Sequence, residues 1–302
     1  MPDYAFSDYL QFVLSGLSTG SIYALVALGI VIIYSVTGII NLAQGEYTML
    51  GAMFAVIFYG WGFPLLLAFV ASILVVVFIG LVIERLTVNP VRTASPVTLI
   101  IITVGVSIIV RGVALLIWGA TPYSLPEFTP GAPLNILDAV VSRQRLWIVA
   151  ATVMVLGLLY YLLERTLLGK ALRACSINQL AASFMGIGAG QMSLFAFGLS
   201  AGLGAVAGIV IAPLTLVSYN MGLMLGLKGF VAAVIGGLVS APGAVIGGLL
   251  LGVLESLSAG LISSGMKDAI AFLALFVVLL WRAEQVTPCL RLLLRRWTGA
   301  PG

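Results

Sequence analysis

The sequence predicts an all-α polytopic membrane protein with about seven to eight transmembrane helices, a re-entrant or broken helix pair and a short cytoplasmic helix. Three observations carry this reading. The 302 residues are 62% hydrophobic and 8% charged, against roughly 45–50% apolar and about 25% charged in soluble domains. Apolar runs cover 10–36, 46–60, 63–83, 97–118, 146–163, 192–217, 229–254 and 269–281, most of them near the ~20 residues that a spanning helix needs. The stretches between them are too short for a soluble domain. Residues 1–302 therefore read as a single transmembrane domain, with 164–190 as a cytoplasmic segment inside it.

The first run is expected to insert uncleaved, because the first ten residues carry Asp3 and Asp8 and no Lys or Arg, unlike the basic start of a signal peptide. Next comes Asn41-Leu-Ala-Gln44-Gly-Glu46, a polar run bracketed by Gly38 and Gly45. A carboxylate at the centre of a spanning helix costs about 2.5–3.5 kcal/mol, so Glu46 must face a partner, a cavity or water. Two readings fit. One is a break between helical pieces, where Asn41, Gln44 and Glu46 line a solute pathway; the other is a polar cytoplasmic turn between the first two helices. Arg111, seven residues before Trp118, either snorkels outward or pairs with a buried acid such as Glu46 or Glu255. Glu255 and Asp268 read as interface residues near the outer face.

Charge orients the chain. With the N-terminus outside, Arg85, Arg92, Arg165, Lys170, Arg173, Arg282, Arg291, Arg295 and Arg296 lie inside, nine against the four at Arg143, Arg145, Lys228 and Lys267 outside. Cytoplasmic loops carry the excess of Lys and Arg. Counting 227–254 as one complete crossing would erase this bias. A re-entrant or broken pair, entering and leaving on the outer side and broken at Gly236-Gly-Leu-Val-Ser-Ala-Pro-Gly243, preserves it and keeps the tail cytoplasmic. Trp118 and Trp147 flank a proline-rich outer loop as interface anchors would. Gly16/Gly20, Gly198/Gly202, Gly204/Gly208, Gly243/Gly247 and Gly248/Gly252 are each four apart, a spacing that puts both members on one helix face and lets a neighbouring backbone approach.

Chemistry is sparse. The chain has no histidine, and its two cysteines, Cys175 and Cys289, fall in segments read as cytoplasmic. His-based metal sites, acid–base catalysis and structural disulfides are therefore not expected, and the reading is of no catalytic residue and no metal ligand. The phosphate-binding pattern G-x-x-x-x-G-K-[ST] is absent, since Gly169-Lys170 runs into Ala171. The basic residues read as topology signals, not as a nucleic-acid surface. Between two spanning runs, 165–187 is too polar to span. Asn178 fits as an N-cap and Gly186 as a C-terminal glycine, with Leu180 and Phe184 on one face of a short helix. Such a helix suits another protein's groove or the membrane surface.

Asn41-Leu-Ala-Gln-Gly-Glu46 with Met49-Leu-Gly-Ala52, Leu168-Gly-Lys-Ala-Leu-Arg-Ala174, Ala181-Ala182 with Met185-Gly186, Pro242-Gly-Ala-Val-Ile-Gly-Gly248 and Lys267-Asp-Ala-Ile-Ala-Phe272 follow one another in order. Together they resemble the LivH-type permeases of branched-chain amino-acid ABC importers. The resemblance implies a non-catalytic permease of the bacterial inner membrane working by alternating access. It implies as partners a second homologous permease, two cytoplasmic ATP-binding subunits and a periplasmic solute-binding protein. ATP and magnesium would sit on the partner subunits, with no cofactor on this chain. It also implies that Ala181, Ala182 and Gly186 couple the chain to the ATPases, with Leu180 and Phe184, from the helix's apolar face, as the docking contacts. The family's Asp-x-Glu-Ala-Ala-x-x-x-Gly loop is kept at the alanines and Gly186, but Asn178 and Leu180 replace its acids, which leaves apolar docking. The family's Arg-Pro-x-Gly-Leu ending is replaced by Arg282-Ala-Glu-Gln-Val. The competing function is an ion-coupled secondary transporter using Glu46 and Glu255. A motor-docking segment at 165–187 has no purpose in such a protein.

Overall fold

A computed structural model describes residues 6–92, 94–136 and 139–280. Expectations for the tail, Cys289 among them, lie outside these residues. The described chain is an all-α polytopic bundle with six helices long and apolar enough to cross a membrane. Burial sorts five of them into two layers, with Ala241–Leu261 between at 39% buried. The most apolar window of α1 (Phe6–Thr37) is 89% buried and that of α8 (Ala189–Ile211) 72%, whereas α3 (Leu65–Ile83), α4 (Pro96–Trp118) and α5 (Arg143–Arg165) are only about a fifth buried, at 22%, 22% and 17%. Thus α1 and α8 form the centre, and α3, α4 and α5 leave many Leu, Ile and Val side chains exposed.

Local chemistry sets the helix ends. At the end of α1 the Gly38 amide donates to the Tyr34 carbonyl at 2.8 Å with Gly38 at φ +70°, the left-handed conformation that glycine adopts without a Cβ penalty. Residues 38–43 then lead back into the bundle, and α2 (Gln44–Gly60) starts within it, its Gln44 level with Gly29 of α1 and Ser200 of α8. Ser95 accepts from the Thr98 amide at 3.2 Å to cap α4, with Pro96 in the first turn. Between α4 and α5 lies a two-stranded antiparallel hairpin, β1 (Leu134–Ile136) and β2 (Ala139–Val141), pairing Leu134 with Val141.

Glycine faces make the tight crossings. Gly16 and Gly20 pack on Val253, Gly252 and Gly248 of α10 (Ala241–Leu261), so α1 and α10 run antiparallel. Gly204 and Gly208 receive Tyr47 and Thr48 of α2, and Gly198 and Gly202 receive Leu81 and Val77 of α3. The arm before α10 is α9 (Met221–Gly236), antiparallel to it through Gly236 against Gly243 and Ala232 against Gly247. The chain is broken between them at 237–240, with Gly237 at φ +90°. That turn lies in the wall of one cavity with Val36 and Ser176. It therefore sits at the end of the bundle that holds α6 (Leu167–Ile177), the end read as cytoplasmic from the sequence. Lys228, expected in an outer loop, is 5% exposed inside α9.

Candidate functional site

The polar run that opens α2 is wholly inside the protein: Asn41, Gln44 and Glu46 are 0–1% exposed. A turn in water is ruled out by that burial. Backbone groups ahead of the helix find partners on α4, where the Thr103 hydroxyl accepts from the Leu42 amide at 3.3 Å and donates to the Ile100 carbonyl at 2.9 Å. Asn41 Oδ1 accepts from the Ala43 amide at 3.1 Å. These bonds satisfy part of the helix start, whose first amides have no partner within the helix.

The three side chains do not converge. Gln44 donates from Nε2 to the Ser200 carbonyl at 3.0 Å and accepts from the Ser200 hydroxyl, which engages both ends of the amide and pins α2 to α8. Two residues on, Glu46 points to the other side of α2. Its Oε1 accepts from the Ser107 hydroxyl at 2.8 Å and lies 3.2 Å from Arg111 Nε. Its Oε2 has no hydrogen-bond partner and borders Gly222 of α9. Asn41 Nδ2 is also buried without a partner. A free carboxylate oxygen is thus left beside the crossing of α2 and α9, next to a guanidinium, whereas the Asn41 amide lies toward the Tyr47 hydroxyl. Of the two fates open to Arg111, the structure shows pairing with Glu46.

A second buried charge cluster was missed by sequence reasoning. Lys228 Nζ of α9 lies 2.7 Å from Glu255 Oε1 of α10 and 2.7 Å from Asp268 Oδ1 on the helix over 267–280. The Tyr23 hydroxyl of α1 donates to Glu255 Oε2 at 2.7 Å. The signal was available, as a lysine in an apolar run with an acid downstream. Both acids named for an ion-coupled mechanism, Glu46 and Glu255, are therefore occupied by basic partners. Removing one member of a buried pair costs about 3–5 kcal/mol because the other charge is stranded. Lys228→Met is expected to lower the melting temperature of the purified protein clearly, and adding Glu255→Gln to restore most of it. Equal melting for the single variant would mean that the cluster holds nothing together.

At the α6 end, the Thr166 hydroxyl caps α6 by accepting from the Gly169 amide at 3.1 Å. Burial pushes the Cys175 thiol up, which keeps it protonated and unreactive near neutral pH. Asn178 caps α7 (Gln179–Phe184), its Oδ1 accepting from the Ala181 amide at 3.0 Å. The helix closes with the Ile187 amide donating to the Ala182 carbonyl at 3.1 Å and the Gly186 amide to the Ser183 carbonyl at 3.0 Å, with Gly186 at φ +82°. This double closure brings the residue after the glycine against the third residue from the helix end, here Ile187 against Ala182. Leu180, Ala181 and Phe184 face outward, Phe184 at 88% exposure, while Ala182 is 4% exposed beneath its own helix. Ala182 is therefore an anchor within this chain, a correction to its grouping with the outward residues. Among the described residues no cluster of three His, Cys, Asp or Glu could hold a metal.

The family described as branched-chain amino acid transport system / permease component matches residues 12–279. The high-affinity branched-chain amino acid transport system permease protein BraD of Pseudomonas aeruginosa is 34% identical over 288 residues, 91% of this chain and 94% of that protein. The corresponding permease protein LivH of Escherichia coli K12 is 34% identical over 294 residues, with the same shares. A probable LivH of Methanocaldococcus jannaschii is 30% identical over 247 residues, 78% of this chain and 77% of that protein. The solved structure of PsaBC from Streptococcus pneumoniae in complex with Fab aligns at TM-score 0.48 and 14% identity over 88% of this chain and 90% of that one. That likeness is too distant to bear on function.

Proposed function

The chain belongs to the family of branched-chain amino-acid transport permease components, and on that premise we propose how its buried charges serve a solute and how α7 serves a motor. It is the non-catalytic, multi-pass inner-membrane permease of an ATP-driven branched-chain amino-acid importer. We read all 302 residues as one permease domain working beside a second homologous permease, two ATP-binding subunits that carry ATP and magnesium, and a periplasmic solute-binding protein. In this reading the α6–α7 end is cytoplasmic and the α4–α5 loop outside, so α9 and α10 form the broken helix pair whose turn reaches the cytoplasmic end. Labelling of Ser183→Cys by an impermeant thiol reagent in intact cells would refute that orientation.

The solute path runs past the start of α2. The observation that carries this is the Glu46–Arg111 pair at 3.2 Å with Glu46 Oε2 left free and buried. An amino acid brings an ammonium and a carboxylate, and this pair offers the complementary charges at a place where backbone is irregular and glycine-lined. Gln44 is assigned to holding α2 in place, because both ends of its amide are bonded to Ser200. Glu46→Gln keeps the shape and the bond from Ser107 while removing the charge. Because Arg111 is only partly buried and also donates to the Ser107 carbonyl, it is not stranded as Lys228 would be; membrane level should hold, and leucine uptake should fall at least about tenfold, the size of one charged hydrogen bond. Uptake at the parental rate would leave Glu46 as a packing residue only.

The outward face of α7, with Leu180, Ala181 and Phe184, is proposed to insert into a groove of an ATP-binding subunit. Gly186 supplies the turn back to α8, and Ala182 roots the peg.

A further inference from the structure

A second cavity, about 320 Å³, lies between the end of α3, the start of α8 and α7, with Thr37 and Ile39 of the α1–α2 connection in its wall and none of Asn41, Gln44 or Glu46. Its lining combines an acid, Glu84, and a base, Arg92, with apolar side chains. At one side is Glu84, 1% exposed, whose Oε1 accepts from the Ser193 hydroxyl at 2.8 Å while Oε2 has no partner. At another is Arg92, whose guanidinium reaches over the first turn of α8, where a methyl group on Gly190 would stand 3.2 Å from Nη1. The amides of that turn have no side-chain cap, and a helix start favours an anion. Ile39, Val88 and Leu180 supply apolar wall. The widened turn over Glu84–Val88 puts Glu84 and Val88 on the same cavity, and such turns are frequent at functional sites.

We propose that this cavity binds one aliphatic amino acid from the cytoplasmic side, its ammonium at Glu84, its carboxylate at Arg92 and the α8 start, and its side chain against Ile39 and Val88. The volume lies at the small end of the range for ligand pockets, about 300–1,000 Å³, which suits a single amino acid and not a nucleotide. The consequence follows from the third wall. Gln179, Leu180 and Ser183 belong to α7, so an occupant touches the helix assigned to the ATPase. Accumulated product would fix α7 against α3 and α8 and slow the importer. The inference rests on the branched-chain reading and on the cytoplasmic placement of α7.

The test uses the whole importer in proteoliposomes, with binding protein and leucine outside and ATP with graded leucine inside. Initial uptake and ATP hydrolysis should fall saturably as internal leucine rises. Arg92→Gln should leave uptake at zero internal leucine unchanged and raise the half-inhibitory concentration about tenfold or more, the loss expected for one charged hydrogen bond. Glu84→Gln, which keeps the bond from Ser193, should act in the same direction. Equilibrium dialysis of radiolabelled leucine on the solubilised complex without binding protein separates the two sites, since binding should survive Glu46→Gln and be lost in Arg92→Gln. An importer that takes up no leucine refutes the functional reading. One that takes it up regardless of internal leucine, or whose inhibition survives both Arg92→Gln and Glu84→Gln, refutes this site alone.

Discussion

Gly45→Leu is expected to leave no folded permease in the membrane, and Gly45→Ala already to impair it. Gly45 opens the second residue of α2 where that helix crosses α9. A Cβ there would stand 2.7 Å from both the Cα and the amide nitrogen of Gly226 and still closer to the Gly222 carbonyl oxygen. All three are backbone atoms, so no rotamer can give way. Overpacking in a core that can shift costs about 1–3 kcal/mol; here relief needs movement of α9, which is also held by Lys228 to Glu255 and by Gly229 against Val26. Against a total stability of about 5–15 kcal/mol, a leucine should be lethal to the fold. Gly112→Leu is the control, because that position on α4 is exposed and has nothing within 4 Å of its would-be Cβ. Immunoblots of membranes and melting of the solubilised protein would compare the three. Normal levels of Gly45→Leu would show that α2 and α9 do not need this close crossing.

What was legible in the sequence was local. The interruption at 38–43, the Asn178 cap, the glycine turn at Gly186 and the break at 237–240 each follow from residue types within a few positions of one another, and the structure has each of them. Charge partners were not legible in the same way. Glu46 meets Ser107 and Arg111 some sixty residues away, and Lys228 meets Glu255 and Asp268 on two other elements. A hydropathy profile hands any lysine to water, which is why Lys228 was placed in a loop. Gln44 and Glu46 looked like one polar group in the sequence, but two residues on a helix are about 200° apart, and the fold sends them to α8 and α4. The direction of Ala182 was hidden for a related reason. On a helix of six residues periodicity defines no face, and only the closing bonds through Gly186 and Ile187 turn Ala182 inward.

That inward turn decides how coupling should be tested. Leu180→Asp and Phe184→Asp are expected to abolish solute-stimulated ATP hydrolysis and leucine uptake while the permease stays at normal levels. Both side chains are exposed, at 74% and 88%, so their loss removes little packing from this chain, and α7 keeps its Asn178 cap and its Gly186 closure. In a partner's groove the same residues would be buried anchors. Truncating such an anchor costs about 2 kcal/mol or more, roughly a thirtyfold loss of affinity, and a carboxylate buried there without a partner costs further. The ATP-binding subunits should therefore be lost from the permease on copurification, more completely in the double variant. Ala182→Glu should behave differently, since a carboxylate beneath α7 would be forced against Ile187 and the core of its own chain. It is expected to lower the melting temperature of the permease itself, before any partner is added. If the two aspartate variants retained their ATP-binding subunits and transported normally, α7 would be a surface helix with no part in coupling, and the motor would have to engage this chain elsewhere.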